Sequence, residues 1–429
     1  MFTTASFSGH RRDGDKNPSD WTDVGGWFGG MFGGRSSSGI VVTRERALAL
    51  ASFRACVTLL AESVAQLPCE LYERTEDGGR KKATGHPLYD VIRHCPNQQN
   101  TAFEFYEQCQ GSYELEGNDY SLINRDGNGN VSELIPINPN KCQVLIGSDG
   151  LTYYRMLEGG EVLSRRYVHH VRGFTLDGHL GLSPLQTNRD TIGLAAATDD
   201  HAAAVFNRGA TMSGVLERPL EAPKIKTQAG VDRLIDKFTE RHGGGLRNAF
   251  SVALLQDGMS YKQLSMDNEK AQLIESRNLG AIEICRLYRI PGHMVGVMEK
   301  STAWGTGIEQ LGMAFVIYTL LARLRRREQA MMRDLLNTKD RQKYYIEFNV
   351  SSLMRGDQKT RYEAYAIGRQ WGWLSVNDIL RMENLPPIAS GNTYLTPLNM
   401  VDSDIAAKMQ EVKPEVRAEV EALLQSEIK

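Results

Sequence analysis

Between residues 45 and 66 apolar side chains recur at helical spacing, with Phe53, Val57, Leu60 and Val64 on one face. Thr43 stands where an N-cap belongs, and Pro68 stops the run. The period then shortens to short β-type runs at Glu70–Arg74, Tyr120–Asn124, Cys142–Ile146, Thr152–Met156 and Tyr167–Val171. A helical stretch near 102–115 lies between the first two. Turn residues such as Asp77-Gly78-Gly79 and Ser148-Asp149-Gly150 separate the runs. The pattern predicts one α+β domain to about residue 183.

From about 186 to 209 the chain becomes an alanine-rich helix, with Ala195, Ala196, Ala197, Ala202, Ala203 and Ala204. Alanine favours helix and allows close backbone approach, so this helix is expected to pack along other helices. A small α/β module follows, with strands at Ser213–Glu217, Ser251–Gln256 and Tyr261–Leu264 and a helix near 227–242. A second long helix is expected over 267–289. Pro291 and Gly292 end it and open an irregular stretch to about Gly305. Thr306 and Glu309 form a capping box for a helix of about thirty residues, reaching Asn337. Residues 311–322 are apolar nearly all round, which predicts burial on several sides. A strand at Tyr344–Val350 and helices at 357–371 and 375–384, with Asp357 and Ser375 as caps, complete the ordered chain.

Composition narrows the class. The 429 residues are 41 % hydrophobic and carry 50 Lys+Arg against 52 Asp+Glu, a formal charge of −2. At about 150 residues per domain this length suggests two to four domains. The longest apolar run, Leu311–Ala322, falls short of the roughly 20 residues that a membrane span needs. Met1–Lys16 contains no apolar signal-peptide core. None of Cys56, Cys69, Cys95, Cys109, Cys142 and Cys285 forms a C-x-x-C pair, so neither structural zinc nor a disulfide framework is expected. A near-neutral chain does not grip DNA hard. Residues 1–45 are rich in Gly, Ser and Asp and are expected to form a flexible arm; Trp27, Phe28 and Phe32 could instead dock on a neighbour.

No catalytic constellation emerges. Gly296–Ser301 resembles the end of a phosphate-binding loop, but Glu299 stands where glycine must precede Lys300. Asp126-Gly127-Asn128-Gly129-Asn130 starts like a calcium loop and then places Val131 and Ile137 at positions that need Gly and Glu; a hairpin turn is expected instead. His169 and His170 fall on opposite faces of a strand and are expected to be structural. Cys285 lacks an activating base and reads as a packed core thiol. The arginines 323, 325, 326, 327 and 333 read as a solvated or salt-bridged helix face, with nucleic-acid contact the alternative. Lys300, beside Ser301 and Thr302 on a loop, could also touch phosphates weakly.

In this order the residues resemble the HK97-type tailed-bacteriophage portal family. The carrying segments are Ala51–Pro68 leading into Cys69-Glu70-Leu71-Tyr72, Gly85–Tyr89, Glu116–Tyr120, Arg172-Gly173-Phe174, Gly178–Leu185, Phe206–Ala210, Ile290–Met294, Phe348-Asn349-Val350, Arg355-Gly356-Asp357 and Asn384–Pro387. The resemblance covers about 47–390.

It implies an α+β, multi-domain portal fold. After the arm (1–45) would come an α+β wing (46–185), a stem helix (186–210), a small α/β clip (211–265) and a second stem helix (266–290). The tunnel loop (291–306), the rest of the wing (307–352) and a helical crown with the tail (353–429) would follow. The acidic tail 402–429 and the N-terminal arm match no family segment. The resemblance also implies a twelve-subunit ring at one capsid vertex, which passes double-stranded DNA in packaging and ejection. Large terminase, a head–tail adaptor and the major capsid protein would be its partners, with no cofactor, metal, membrane or catalytic role. It would be found in the virion, and in the host cytoplasm during assembly. Lys300, Ser301, Thr302 and Trp304 are the expected channel contacts. The competing readings are a DNA-translocating or DNA-cleaving enzyme of the packaging apparatus and a monomeric DNA-binding or scaffold protein.

Overall fold

The computed structural model describes residues 21–23, 36–76, 79–208, 214–217, 232–233, 236, 260–263, 267–297, 306–350, 358–383 and 385–395. The chain forms two compact units, one ending at Val350 and one beginning at Ser351. In the first unit helices and antiparallel strands are mixed.

Ordered structure starts earlier than the expected boundary near 46. Strand β1 (Trp21–Asp23) lies inside the stretch expected to be a flexible arm and pairs along β6 (Cys142–Gly147). Ser36, also within that stretch, is 5 % exposed. There the Ser37 amide donates to the Asp190 carboxylate at 2.7 Å. Gly193 makes the close approach possible, since a Cβ there would lie 2.5 Å from the Ser36 hydroxyl.

The helix expected over 45–66 is two helices, α1 (Arg44–Ala49) and α2 (Ala51–Ala65). Thr43 caps the first by accepting from the Arg46 amide. Leu50 breaks the run in an extended conformation and turns its side chain into the core. Apolar burial there outweighs one more turn of helix. The expected face of Phe53, Val57, Leu60 and Val64 is buried.

Three small sheets follow. β2 (Cys69–Arg74) lies between β3 (Arg80–Lys82) and β12 (Tyr344–Phe348). β4 (Asn118–Arg125) lies between β5 (Val131–Ile137) and β9 (Val168–Arg172). β6, β7 (Thr152–Met156) and β8 (Val162–Ser164) form the third with β1. The Asp126–Asn130 stretch is the expected hairpin turn joining β4 to β5: the Asp126 amide donates to the Asn130 carbonyl at 2.9 Å, and Gly129 has φ +85. Helix α3 (Pro87–Arg93) and strands β3, β5 and β8 were not foreseen. β3 is three exposed cations with no apolar signal, and β5 carries Pro136. Helix α4 (Ala102–Glu116) opens with the capping box of Thr101 and Glu104.

A short helix α5 (Pro184–Thr187) leads into α6 (Arg189–Arg208), the alanine-rich helix. It packs against α7 (Asp267–Tyr288). A Cβ on Gly280 of α7 would lie 3.4 Å from the Ala195 methyl, so small residues do set the spacing. Between these helices, β10 (Gly214–Glu217) pairs antiparallel with β11 (Ser260–Gln263). Of the helix expected at 227–242, Asp232, Arg233 and Asp236 are described and are helical. The strand expected at 251–256 lies outside the described residues.

The thirty-residue helix is present with an interruption. α8 (Thr306–Phe315) runs through a π-turn (Val316–Leu320) into α9 (Leu321–Leu335). A short α10 (Asp340–Lys343) then leads into β12. Phe53, Leu60, Ile192, Ile284, Tyr288 and Phe315 form one core that joins α2, α6, α7 and α8. Each such side chain contributes about 1.5–3 kcal/mol on burial.

The second unit holds α11 (Gln358–Gln370) and α12 (Val376–Met382). Ser375 caps α12 in a box with Asp378, as expected; Asp357 lies outside the described residues. The Arg361 and Tyr365 side chains both reach the Glu383 carboxylate at 2.9 Å.

Candidate functional site

The expected channel residues Lys300, Ser301, Thr302 and Trp304 lie outside the described residues. The described residues on either side of them are held by specific contacts. α7 ends at Tyr288, whose hydroxyl donates to the Glu114 carbonyl at 3.0 Å. Arg289 then adopts φ +58, the left-handed region, as no other non-glycine residue does among those described. The chain passes through a 3₁₀ turn (Gly292–Val295) that packs Met294, Val295 and Val297 on the core. Gly292 is required here, because a Cβ would lie 2.7 Å from the Val297 carbonyl. Thr319, in the π-turn, donates its hydroxyl to the Arg289 carbonyl at 2.7 Å. The two flanks of the expected tunnel loop are therefore tied to each other. π-turns are often found at functional positions.

The arginines of α9 face protein groups, as the salt-bridge reading expects. Arg323 holds Glu114 with Nε at 2.6 Å and Nη2 at 3.1 Å. Arg325 pairs with Glu328, Arg326 donates to the Tyr113 hydroxyl, and Arg333 pairs with Asp334. Arg327 is 1 % exposed and donates to Asp119 at 2.8 Å and Gln110 at 3.0 Å. Burial works against its charge, but the Asp119 carboxylate outweighs this and raises its pKa. Arg323 and Arg327 clamp the long helix onto α4 and β4.

The two histidines are structural. His169 bonds to Asp334 at 3.0 Å. His170 lies between Asn118 and the Tyr154 hydroxyl, at 3.0 and 3.1 Å, and stacks on Tyr120. Burial pushes the His170 pKa well down and keeps it neutral. Burial would raise the Asp334 pKa, yet the bonds from Arg333 and His169 hold it well below the usual carboxylate range. Among the described residues no group of three or more His, Cys, Asp or Glu could hold a metal ion. Cys285 is a packed thiol against Cys56, whose pKa is pushed up by the hydrogen bond to Cys285 and by burial. None of the six cysteines forms a disulfide.

The motif segments 116–120, 172–174 and 178–185 meet at one point. Gly117 has φ +67, and a Cβ there would lie 2.0 Å from the Leu182 carbonyl. Cβ atoms on Gly173 and Gly181 would lie 2.9 and 2.1 Å from the Gly117 carbonyl. Asn118 fastens the crossing by donating to the Gly181 carbonyl at 2.7 Å and accepting from its amide at 2.8 Å.

One feature departs from the sequence reading. The apolar stretch 311–322 is not buried on several sides within one chain. Leu311, Met313, Ile317 and Tyr318 are 41, 51, 46 and 72 % exposed. Leu194 and Leu279, on the paired helices α6 and α7, are also exposed. Four large apolar side chains within residues 311–318 thus lie in water in the single chain. No helix among the described residues is long and apolar enough to cross a membrane.

A profile described as "Phage portal protein" matches residues 51–384, and the chain belongs to that family. It is 29 % identical over 391 residues to the portal protein of Enterobacteria phage HK97, covering 87 % of this chain and 91 % of that one. Its fold matches an HK97-family phage portal protein from Corynebacterium diphtheriae with a TM-score of 0.55 at 19 % identity, covering 74 % of this chain and 99 % of the other. It also matches a chain in the neck of the native gene transfer agent (GTA) particle, solved with C12 symmetry. That match has a TM-score of 0.54 at 21 % identity and covers 80 % of this chain and 92 % of that one. The family is a structural one.

Proposed function

We propose that twelve copies of this chain form a ring at one vertex of a phage capsid, and that double-stranded DNA passes through its centre in packaging and ejection. The observation that carries this reading is the apolar face of the long helix, left exposed in a single chain that belongs to the portal family. A neighbouring copy covers that face. The C12 symmetry of the neck that shares the fold supports the same arrangement.

Within this reading residues 46–185 and 307–352 are the wing, the helices around 186–210 and 266–290 the stem, and 353–429 the crown and tail. The clip, 211–265, docks large terminase during packaging and a head–tail adaptor afterwards, while the wing meets the major capsid protein. The loop 291–306 lines the narrowest point, where Lys300, Ser301, Thr302 and Trp304 touch the DNA. Each cation–phosphate contact adds affinity, so a near-neutral chain with few loop cations lets DNA slide. ATP hydrolysis belongs to the separate motor. The ring works in the virion, after assembly in the host cytoplasm.

Complementation tests the reading. A phage lacking its own copy, supplied with this chain, is expected to yield DNA-filled heads; heads that fill equally well without it would contradict the proposal.

A further inference from the structure

The loop between β9 and α5 combines rigidity with an exposed apolar tip. Asp177 accepts from the His179 and Leu180 amides at 2.8 and 3.1 Å and from the Thr175 hydroxyl at 2.8 Å. The Leu182 amide donates to the Phe174 carbonyl at 2.7 Å, and the Gly173 amide donates to the Gly117 carbonyl at 2.7 Å. The base of the loop is the glycine crossing described above. On this fixed frame Phe174 and Leu176 are 64 and 59 % exposed. An isolated fold gains nothing by holding two large apolar side chains in water on an ordered loop. Preorganised anchors of this kind lose little entropy on association.

Phe174 borders a cleft of about 370 Å³ that Arg289 and Arg326 also line. Both arginines are exposed, and neither faces a carboxylate among the described residues. An aromatic residue beside arginines is the composition of an interface hot spot. The partner must offer an apolar patch flanked by carboxylates. This chain carries such a patch itself. On α7, Glu275, Leu279 and Glu283 follow at i, i+4 and i+8, with Leu279 53 % exposed and neither glutamate in an ion pair among the described residues. A ring repeats one heterologous contact, in which two different patches of the same chain meet.

We propose that Phe174 and Leu176, flanked by Arg289 and Arg326, anchor each subunit on the Glu275–Leu279–Glu283 stripe of a second copy. This deepens the ring reading and rests on it. It also gives the Arg172-Gly173-Phe174 and Gly178–Leu185 motifs a physical purpose: they build a stiff presenting loop.

The test is the mass of the assembly for the full-length chain and its variants, with thermal melting as the folding control. The double variant Phe174→Ser/Arg326→Glu is expected to melt as the parent does and to associate at least roughly tenfold more weakly. Arg326→Glu alone is expected to weaken association as well, and adding Glu283→Arg to that variant is expected to restore rings. If the double variant melts early, Leu176→Ser, at the exposed tip, carries the same expectation. A parent that forms rings, with variants that form them equally well, overturns this inference alone; so does failure of the added Glu283→Arg to restore them. A parent that runs as a monomer overturns the ring reading and this inference with it.

Discussion

Arg327 Nη1 and Asp119 Oδ2 lie 2.8 Å apart, with both side chains 2 % exposed. The pair joins the long helix to the start of β4, so the segment that leads out of the expected channel loop is bolted to the sheet by a buried charge. Such a pair is weak evidence of net stability, because taking two charges out of water is costly. Losing one partner is another matter. Asp119→Ala leaves Arg327 buried and uncompensated, and is expected to lower unfolding free energy by about 3–5 kcal/mol. Asp119→Leu combined with Arg327→Met is expected to recover most of that. Urea denaturation of the three proteins checks both statements.

The glycine crossing predicts a contrast between two left-handed glycines. Gly117→Ala forces a Cβ into the Leu182 carbonyl and is expected to cost more than about 2 kcal/mol. Gly178 has φ +79 with nothing within 4 Å of a built Cβ. Gly178→Ala is expected to cost only about 1 kcal/mol, the conformational penalty alone. Equal losses in thermal melting would show that the crossing is looser than described.

Much of this architecture is legible in the sequence because its signals are local. The Thr101/Glu104 and Ser375/Asp378 boxes name their helix starts, and the Phe53–Val64 spacing names a buried face. Leu50 is not legible, because the corner depends on a core assembled from distant segments. Arg327 reads as one of a run of surface cations; its burial follows from Asp119 and Gln110, more than 200 residues away. The glycines at 117, 173 and 181 are visible as letters, but their mutual contact is not. The apolar run at 311–322 predicts burial on several sides, and within one chain Leu311, Met313, Ile317 and Tyr318 stay exposed, because hydropathy alone does not say which molecule supplies the cover. Lys300, Ser301, Thr302 and Trp304 are expected as channel contacts from the resemblance and the loop's position, and they lie outside the described residues.

His170 makes stability depend on pH. Its folded pKa is depressed by burial, so between the folded value and the unfolded value of about 6.5 the unfolded chain binds a proton that the folded chain does not. Stability contributed by the neutral ring is therefore present above about pH 6.5 and is lost as pH falls below it, by up to about 1.4 kcal/mol per pH unit. Denaturation between pH 7.5 and 5 is expected to show this slope, and His170→Gln to flatten it. An unchanged slope in the variant would assign it elsewhere.

Lys300→Ala is expected to leave assembly intact and reduce the DNA packaged per head. Unchanged packaging would remove Lys300 from the channel contacts.

The most direct measurement is the mass and shape of the purified assembly, by native mass spectrometry with negative-stain imaging. A closed annulus with an open centre is expected, at about twelve times the 47.9 kDa of one chain. A 47.9 kDa particle, or an oligomer with a filled centre, would contradict the account.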